Sequence, residues 1–296
     1  MIEAIQQNGW IYEPKSKYII NQGNLSHYFD LGIETLDIVL SSKSPLRYPG
    51  GKSRAVDIIC KLIPKNIKEL CSPFFGGGSV ELACASKGIK VYGYDIFTPV
   101  VEFWTCLQDN HNLLAEEVEK YYPLPKEKFY ELQQMQTNFT DIFQRAAVFY
   151  VLNRSSFSGA TLSGGMSPDH PRFTQSSIQR LRNFYNPNIE VKELDFKKSI
   201  NLHRDTFLYL DPPYLIKNNL YGKKGDAHKC FDHKGLAEIL RERDNWILSY
   251  NNCPEIQELY EDYKIIYPSW KYGMSNDKYS NEVLIISKDI EKFNNF

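Results

Sequence analysis

Thr206-Phe207-Leu208-Tyr209-Leu210-Asp211-Pro212-Pro213-Tyr214 decides how this chain folds. Its first five residues are apolar and rich in aromatics, as in a buried strand, and the Pro-Pro pair stops the strand on its far side. Asp211 is thereby placed at the carboxyl end of a core strand. In open α/β sheets that edge is where ligands bind. The last four residues suit the activation of an amino group on an aromatic base. Such a nitrogen shares its lone pair with the ring and attacks poorly until acceptors hold its hydrogens. Asp211 supplies an ionised acceptor. Pro212 supplies a backbone carbonyl from a direction fixed by the proline after it, and Tyr214 a flat face for a flipped-out base. Taken alone, the stretch reads equally well as a strand-ending turn with an exposed tyrosine.

Working outward, Ile189 to Leu194 is a second strand pattern and runs into Asp195-Phe196. A carboxylate at a strand end followed by a ring can hydrogen-bond and cover an adenine moiety, or it can simply cap a turn. Further upstream, Ile67 to Cys71 reads as a strand and Ser72-Pro73-Phe74-Phe75-Gly76-Gly77-Gly78-Ser79 as a glycine-rich turn. Val80 to Lys87 then reads as a helix, and Ile89 to Tyr94 as a strand ending at Asp95. Asp95 follows Gly76 by 19 residues, the separation at which an acid on the second strand of a βαβ unit binds ribose hydroxyls. The turn is not GxGxxG, which disfavours a nicotinamide enzyme. Before it, Pro49-Gly50-Gly51-Lys52-Ser53 leads into a helical pattern beginning at Lys52. It is not a P-loop, because the residue five before Gly51 is Leu46.

Between Thr98 and Tyr185 the pattern turns irregular, aromatic and polar. From Asp141 to Arg182 five arginines face two acids. Asn153, Arg154, Ser155 and Phe157, with Arg172 beyond them, are residue types that read base edges or hold phosphates. A solvated loop is the competing reading. After Tyr214 comes a basic loop with Lys223 and Lys224, for which phosphate contact and plain solvation are both open. Asp232 is placed to cap a helix through Leu236, Ile239 and Leu240. Trp246 to Tyr250 reads as a strand, and Lys264 to Tyr267 with Glu282 to Ile286 as a closing hairpin joined through residues 271–274.

The chain has 296 residues, 42% of them hydrophobic, enough for one large α/β domain with an insertion. No apolar run reaches the length of a membrane span, and the start lacks the pattern of a secretory signal, so a cytoplasmic protein is expected. Six cysteines without a CxxC pair suggest reduced thiols and no zinc or other metal site. Net charge is -1, so a nucleic-acid surface has to be local.

Leu46-Arg47-Tyr48-Pro49-Gly50-Gly51-Lys52, Pro73 to Ser79, Asp95, Asp195-Phe196 and Asp211 to Tyr214, in this order, resemble the Dam-type, class α family of DNA adenine-N6 methyltransferases that use S-adenosylmethionine. The resemblance covers residues 44–287. It implies a Rossmann-like α/β sheet with a C-terminal β-hairpin and an inserted, mainly helical target-recognition domain. On that reading residues 1–43 are an N-terminal extension, 44–115 and 186–296 the catalytic domain, and 116–185 the insertion that meets DNA. Tyr48 and Lys52 lie at the mouth of the cofactor and active site, Phe75, Gly76 and Gly78 pass under the methionine part, and Asp95 takes the ribose hydroxyls. Asp195 and Phe196 hold the cofactor adenine. Asp211, which also borders the cofactor, binds the target amine with Pro212, and Tyr214 stacks on the flipped base. The implied partner is double-stranded DNA, and the resemblance leaves open a restriction endonuclease acting on the same site or an orphan or phage methylase with none. Two rivals keep the scaffold: a cytosine-N4 methyltransferase, and a catalytically silent DNA-binding regulator.

Overall fold

The computed structural model describes residues 40–159, 161, 164–167, 172–215, 231–268 and 281–293. The expectations for residues 1–39, for the loop with Lys223 and Lys224 and for the 271–274 link lie outside them. Seven strands form one sheet: β1 Glu69–Ser72, β2 Lys90–Asp95, β3 Ile189–Glu193, β4 Phe207–Leu210, β5 Trp246–Asn251, β6 Lys264–Ile266 and β7 Glu282–Ile286. Their order is β3-β2-β1-β4-β5-β7-β6. The first five are parallel, and β7 runs antiparallel to both β5 and β6. This is the expected Rossmann-like sheet with its C-terminal hairpin.

The strand order creates the site. From β1 the chain moves outward through β2 to β3, then returns to lay β4 on the other flank of β1. Loops leaving β1 and β4 therefore diverge, and a crevice opens at their carboxyl ends. Asp211 follows β4 there, and the glycine-rich turn follows β1.

Strand β4 is buried on both faces, as its unbroken apolar run requires. Leu208 and Leu210 join a cluster with Leu236, Leu240, Trp246 and Ile285. Phe207 and Tyr209 point the other way, into a cluster with Leu70, Phe75, Trp104 and Ile247. Helices between β2 and β3 complete that second cluster. Among them are α3 (Thr98–Asp109), α4 (His111–Glu119), α5 (Lys126–Met135), α6 (Ile142–Ser155) and α7 (Gln175–Arg182), with α1 (Val56–Leu62) and α2 (Ser79–Ala85) earlier in the chain. Helix α6 is buried from Ala146 to Leu152, apolar nearly all round. Tyr150 stacks on Phe103 of α3 at 5.5 Å. Phe129, Leu132, Ile178 and Leu181, all within 116–185, lie in this same cluster with the sheet.

Two helix starts and ends differ from expectation. Helix α1 begins at Val56, not Lys52, because Lys52 turns its side chain into the sheet while its carbonyl accepts the Ala55 amide in a preceding turn. Helix α2 ends at Ala85, not Lys87, where Gly88 at φ +88° reverses the chain. Helix α9 (His233–Arg241) starts as expected, with Asp232 Oδ1 accepting the Gly235 amide at 2.9 Å. Further short α-helices among the described residues are α8 (Phe196–Leu202), α10 (Pro254–Leu259) and α11 (Lys288–Phe293).

Candidate active site

Asp211 and Lys52, 159 residues apart, meet at the carboxyl end of β4. The ammonium lies 2.8 Å from Oδ1 and 2.9 Å from Oδ2 of Asp211, and donates to the Gly50 carbonyl at 2.7 Å. Glu282 Oε2, from the first residue of β7, is 3.8 Å from the same nitrogen. The Lys52 side chain is 3% exposed and that of Asp211 21%, so the carboxylate stays reachable from the crevice while its partner does not. Burial raises the Asp211 carboxyl above the usual range; Lys52 and the Tyr214 hydroxyl act against this.

Pro212 is buried. Tyr214 stacks near Tyr250 of β5 at 6.0 Å, with the Lys52 ammonium 5.0 Å from its ring centre. Asn251 at the end of β5 brackets the next residue, accepting from the Leu215 amide and donating to the Leu215 carbonyl, each at 3.0 Å. The direction of the segment after Asp211 is thus set by a side chain that carried no signal in the sequence.

The glycine-rich turn is held from both sides. Gly76 has φ +46°, and a Cβ there would come within 2.8 Å of the Tyr48 ring. Only glycine lets Tyr48 lie on the turn. Asp95, at the tip of β2, accepts the Gly76 amide through Oδ2 and the Phe97 amide through Oδ1, both at 2.9 Å. With the Ile96 amide also acting on it, the carboxylate still keeps lone-pair capacity for a ligand hydroxyl. The Gly76 carbonyl accepts from Trp104 Nε1 at 2.9 Å, and Phe75 meets Trp104 edge-on at 5.2 Å. Burial, with Asp95 and Asp211 nearby, pushes the Tyr48 hydroxyl far above its ordinary pKa. Tyr48 therefore stays neutral beside both carboxylates.

Glu81, which the sequence reading passed over, lies on α2 beneath this turn. It is 3% exposed and accepts from Ser72 Oγ at 2.7 Å. Burial raises its carboxyl to about 8, against the pull of the Ser72 hydrogen bond. An acid at an apolar position in the first turn after the glycines was the available signal.

Asp195 caps α8, with Oδ1 accepting the Lys197 amide at 2.9 Å. Phe196 is only 7% exposed, packed 5.7 Å from Phe74 and 5.2 Å from Phe231. Its ring packs between these neighbours at the carboxyl edge of the sheet, beside Asp195.

The expected DNA contacts divide. Asn153 is 1% exposed; its amide oxygen accepts from the Arg47 amide at 2.8 Å, and its nitrogen donates to the Arg47 carbonyl at 2.8 Å and Thr161 Oγ1 at 3.2 Å. With these bonds made inside the protein, it latches the Arg47 loop to α6 and cannot read a base edge. Ser155 is likewise buried. Arg154 is bound to backbone, donating to the Arg172 carbonyl at 3.0 and 2.8 Å. Phe157 is 61% exposed, and Arg172 is also exposed. Arg47, Arg172 and Arg180 lie close enough to Arg154 to lower its pKa, after the larger effect of burial. These arginines from separate segments form one positive patch.

The chain is similar in sequence to known proteins. The sequence model of D12 class N6 adenine-specific DNA methyltransferases matches residues 48–274. Modification methylase StsI of Streptococcus sanguinis is 30% identical over 212 residues, covering 62% of this chain and 30% of its own length. Modification methylase LlaI of Lactococcus lactis subsp. lactis is 26% identical, covering 74% and 36%. The DNA adenine methylase of Haemophilus influenzae is 23% identical, covering 70% and 77%. The chain thus spans about a third of the length of the first two relatives and most of the third. The match takes in Tyr48, the glycine-rich turn, Asp95, Asp195 and the Asp211 to Tyr214 stretch, and the chain belongs to the D12 class N6 adenine-specific DNA methyltransferase family.

Proposed function

We propose that this chain transfers a methyl group from S-adenosylmethionine to the N6 amine of an adenine flipped out of duplex DNA. The observation that carries the reading is the placing of Asp211 and Pro212 at the end of β4, across the crevice from the glycine-rich turn after β1. The residues fit the cofactor: Gly76 and Gly78 have positive φ, so their loop presents backbone without side chains, and Asp95 offers lone pairs at the rim. Gly76, Gly78, Phe75, Tyr48 and Asp95 would hold it, with Asp195 further along the edge. Bound there, S-adenosylmethionine supplies a methyl already activated on a sulfonium.

The chain's own work is alignment and charge. Asp211 accepts one hydrogen of the target amine and the Pro212 carbonyl accepts the other, which favours a more tetrahedral nitrogen with its lone pair free. Tyr214 gives the base a face to stack on. Tyr48, held neutral, fills the space between the two carboxylates without adding charge. The segment 116–185 meets DNA through exposed groups such as Phe157 and Arg172, with the neighbouring arginines on phosphate. The names of the first two relatives, modification methylases, support a restriction endonuclease acting on the same site. A cytoplasmic setting is part of the same proposal, and no helix among the described residues is long and apolar enough to cross a membrane.

The test is to incubate the protein with S-adenosylmethionine and unmethylated duplex DNA, digest to nucleosides and analyse by mass spectrometry. N6-methyladenine is expected. N4-methylcytosine would keep the scaffold and overturn the base, and no methylated nucleoside on varied DNA would favour a silent DNA-binding regulator.

A further inference from the structure

Lys52 is held by the two surfaces that the target amine needs. Its ammonium lies 2.8 and 2.9 Å from the Asp211 oxygens and 5.0 Å from the centre of the Tyr214 ring. Hydrogen bonds with an ionised partner are the strong ones, and the ammonium already makes one to each Asp211 oxygen. A flipped adenine can still reach a second lone pair on Asp211, but on a carboxylate whose charge the ammonium already offsets, and it competes with that ammonium until the ammonium moves. Lys52 is buried, and an uncompensated buried charge is strongly disfavoured, so it needs another carboxylate to move to. Glu282 Oε2 is 3.8 Å away, too long for a hydrogen bond and within reach of a rotation about the last lysine torsions.

We propose that Glu282 is a positioning residue that draws the Lys52 ammonium off Asp211 as the target amine takes its place. The idea rests on the methyl-transfer reading above. Glu282 is fixed for this task by the sheet: it opens β7 opposite Asn251, the residue that brackets Leu215 after the Asp211 stretch. The acceptor for the ammonium and the segment that carries Asp211 are thus tied to one strand pair. The Gly50 carbonyl, 2.7 Å from Nζ, is the pivot that stays bonded in both positions. The exchange makes and breaks no covalent bond and moves no proton. One ammonium serves two carboxylates in turn, and Asp211 is released as a bare acceptor only when a donor is there to take it.

The experiment is steady-state methylation of unmethylated genomic DNA by the wild type, Glu282→Gln, Glu282→Asp, Lys52→Met and the double variant Lys52→Met/Glu282→Gln. Glu282→Gln is expected to lower kcat by about 30-fold, with KM for S-adenosylmethionine within about twofold of wild type. Glu282→Asp, which keeps the charge, restores most of the rate. In the Lys52→Met background there is no ammonium to move, so adding Glu282→Gln changes kcat by less than about twofold. A full additional loss in that background would overturn the proposal. So would an unchanged kcat in Glu282→Gln, or an inactive Lys52→Met, which would show that the ammonium is required on Asp211. Should Glu282→Gln fail to fold alone, the comparison of Lys52→Met with the double variant decides in the same way. A wild type that methylates no DNA overturns the methyl-transfer reading and this inference together, whereas an active wild type with additive variants overturns the inference alone.

Discussion

Asp211 and Glu81 are two neighbouring carboxyls, one at the crevice and one buried beneath it, with opposite tasks set by what surrounds each. Asp211 has an ammonium against it and remains an acceptor. Asp211→Ala is expected to keep cofactor and DNA affinity within a few-fold and to lower methyl transfer by about 10²–10³-fold, the usual cost of losing one aligned polar group in a reacting site. Radiolabelled methyl incorporation beside a filter-binding assay checks it, and near-normal turnover would remove Asp211 from its role. Glu81 has no cation against it among these influences, only hydrogen bonds from Ser72 and from its own backbone, and burial pushes its carboxyl up to about 8. Its folded pKa is raised, so the native state holds a proton that the unfolded chain has already released between about pH 4.5 and 8. Stability from this group is therefore full at low pH and lost as pH rises through 8. Glu81→Gln removes that dependence and is expected to gain on the wild type by several kcal/mol across this window. Thermal melts at pH 5 and pH 8 measure it; an equal difference at both would show that Glu81 is not buried as a neutral acid.

Strand β2 and the turn after β1 behave as one element, because Gly93 in the middle of β2 lets the Phe75 ring lie directly on the strand. A Cβ at Gly93 would sit 2.1 Å from Phe75 Cδ2. Gly93→Ala must therefore push Phe75 off Trp104 and move the turn with it. The expected cost is about 1–3 kcal/mol, the range for overpacking a tight core. A matching loss of cofactor affinity, read by calorimetry, would mark the turn as the cofactor's seat, and Phe75→Leu should recover part of both. The other latch is Asn153, which ties α6 to the Arg47 loop by a pair of 2.8 Å bonds to one residue's backbone. Asn153→Ala leaves partly buried backbone groups of Arg47 without these bonds, at a cost of about 1 kcal/mol or more. Chemical denaturation measures that loss, and a variant as stable as wild type would contradict the latch.

Over the whole molecule the charges nearly cancel, at -1, so attraction to DNA has to come from where the arginines gather. Arg47, Arg154, Arg172 and Arg180 come from separate segments to one patch. DNA affinity should fall steeply with salt. Arg172→Ala, an exposed member of that patch, should reduce the slope of log affinity against log salt by about 1 if it neutralises one phosphate. Fluorescence anisotropy over a salt series checks this, and an unchanged slope would move the DNA path elsewhere.

Local chemistry made much of this legible in the residues. An apolar run ended by Pro-Pro has to stop with Asp211 at a strand end, and glycines followed 19 residues later by Asp95 have to close a βαβ turn, because these depend on backbone stereochemistry and hydrophobic period within a few residues. Lys52 looked like the start of a helix and, by resemblance, like a residue at the active-site mouth, Asn153 like a reader of DNA, and Asn251, Glu81 and Glu282 like no part of a site. Their roles come from partners that the sheet order brings from far along the chain: Lys52 to Asp211 across 159 residues, Asn153 to Arg47 across 106, and Asn251 to Leu215 across 36. Burial turned each polar side chain toward those partners, since in a dry interior a polar group left unmatched costs more than any preference of its local sequence.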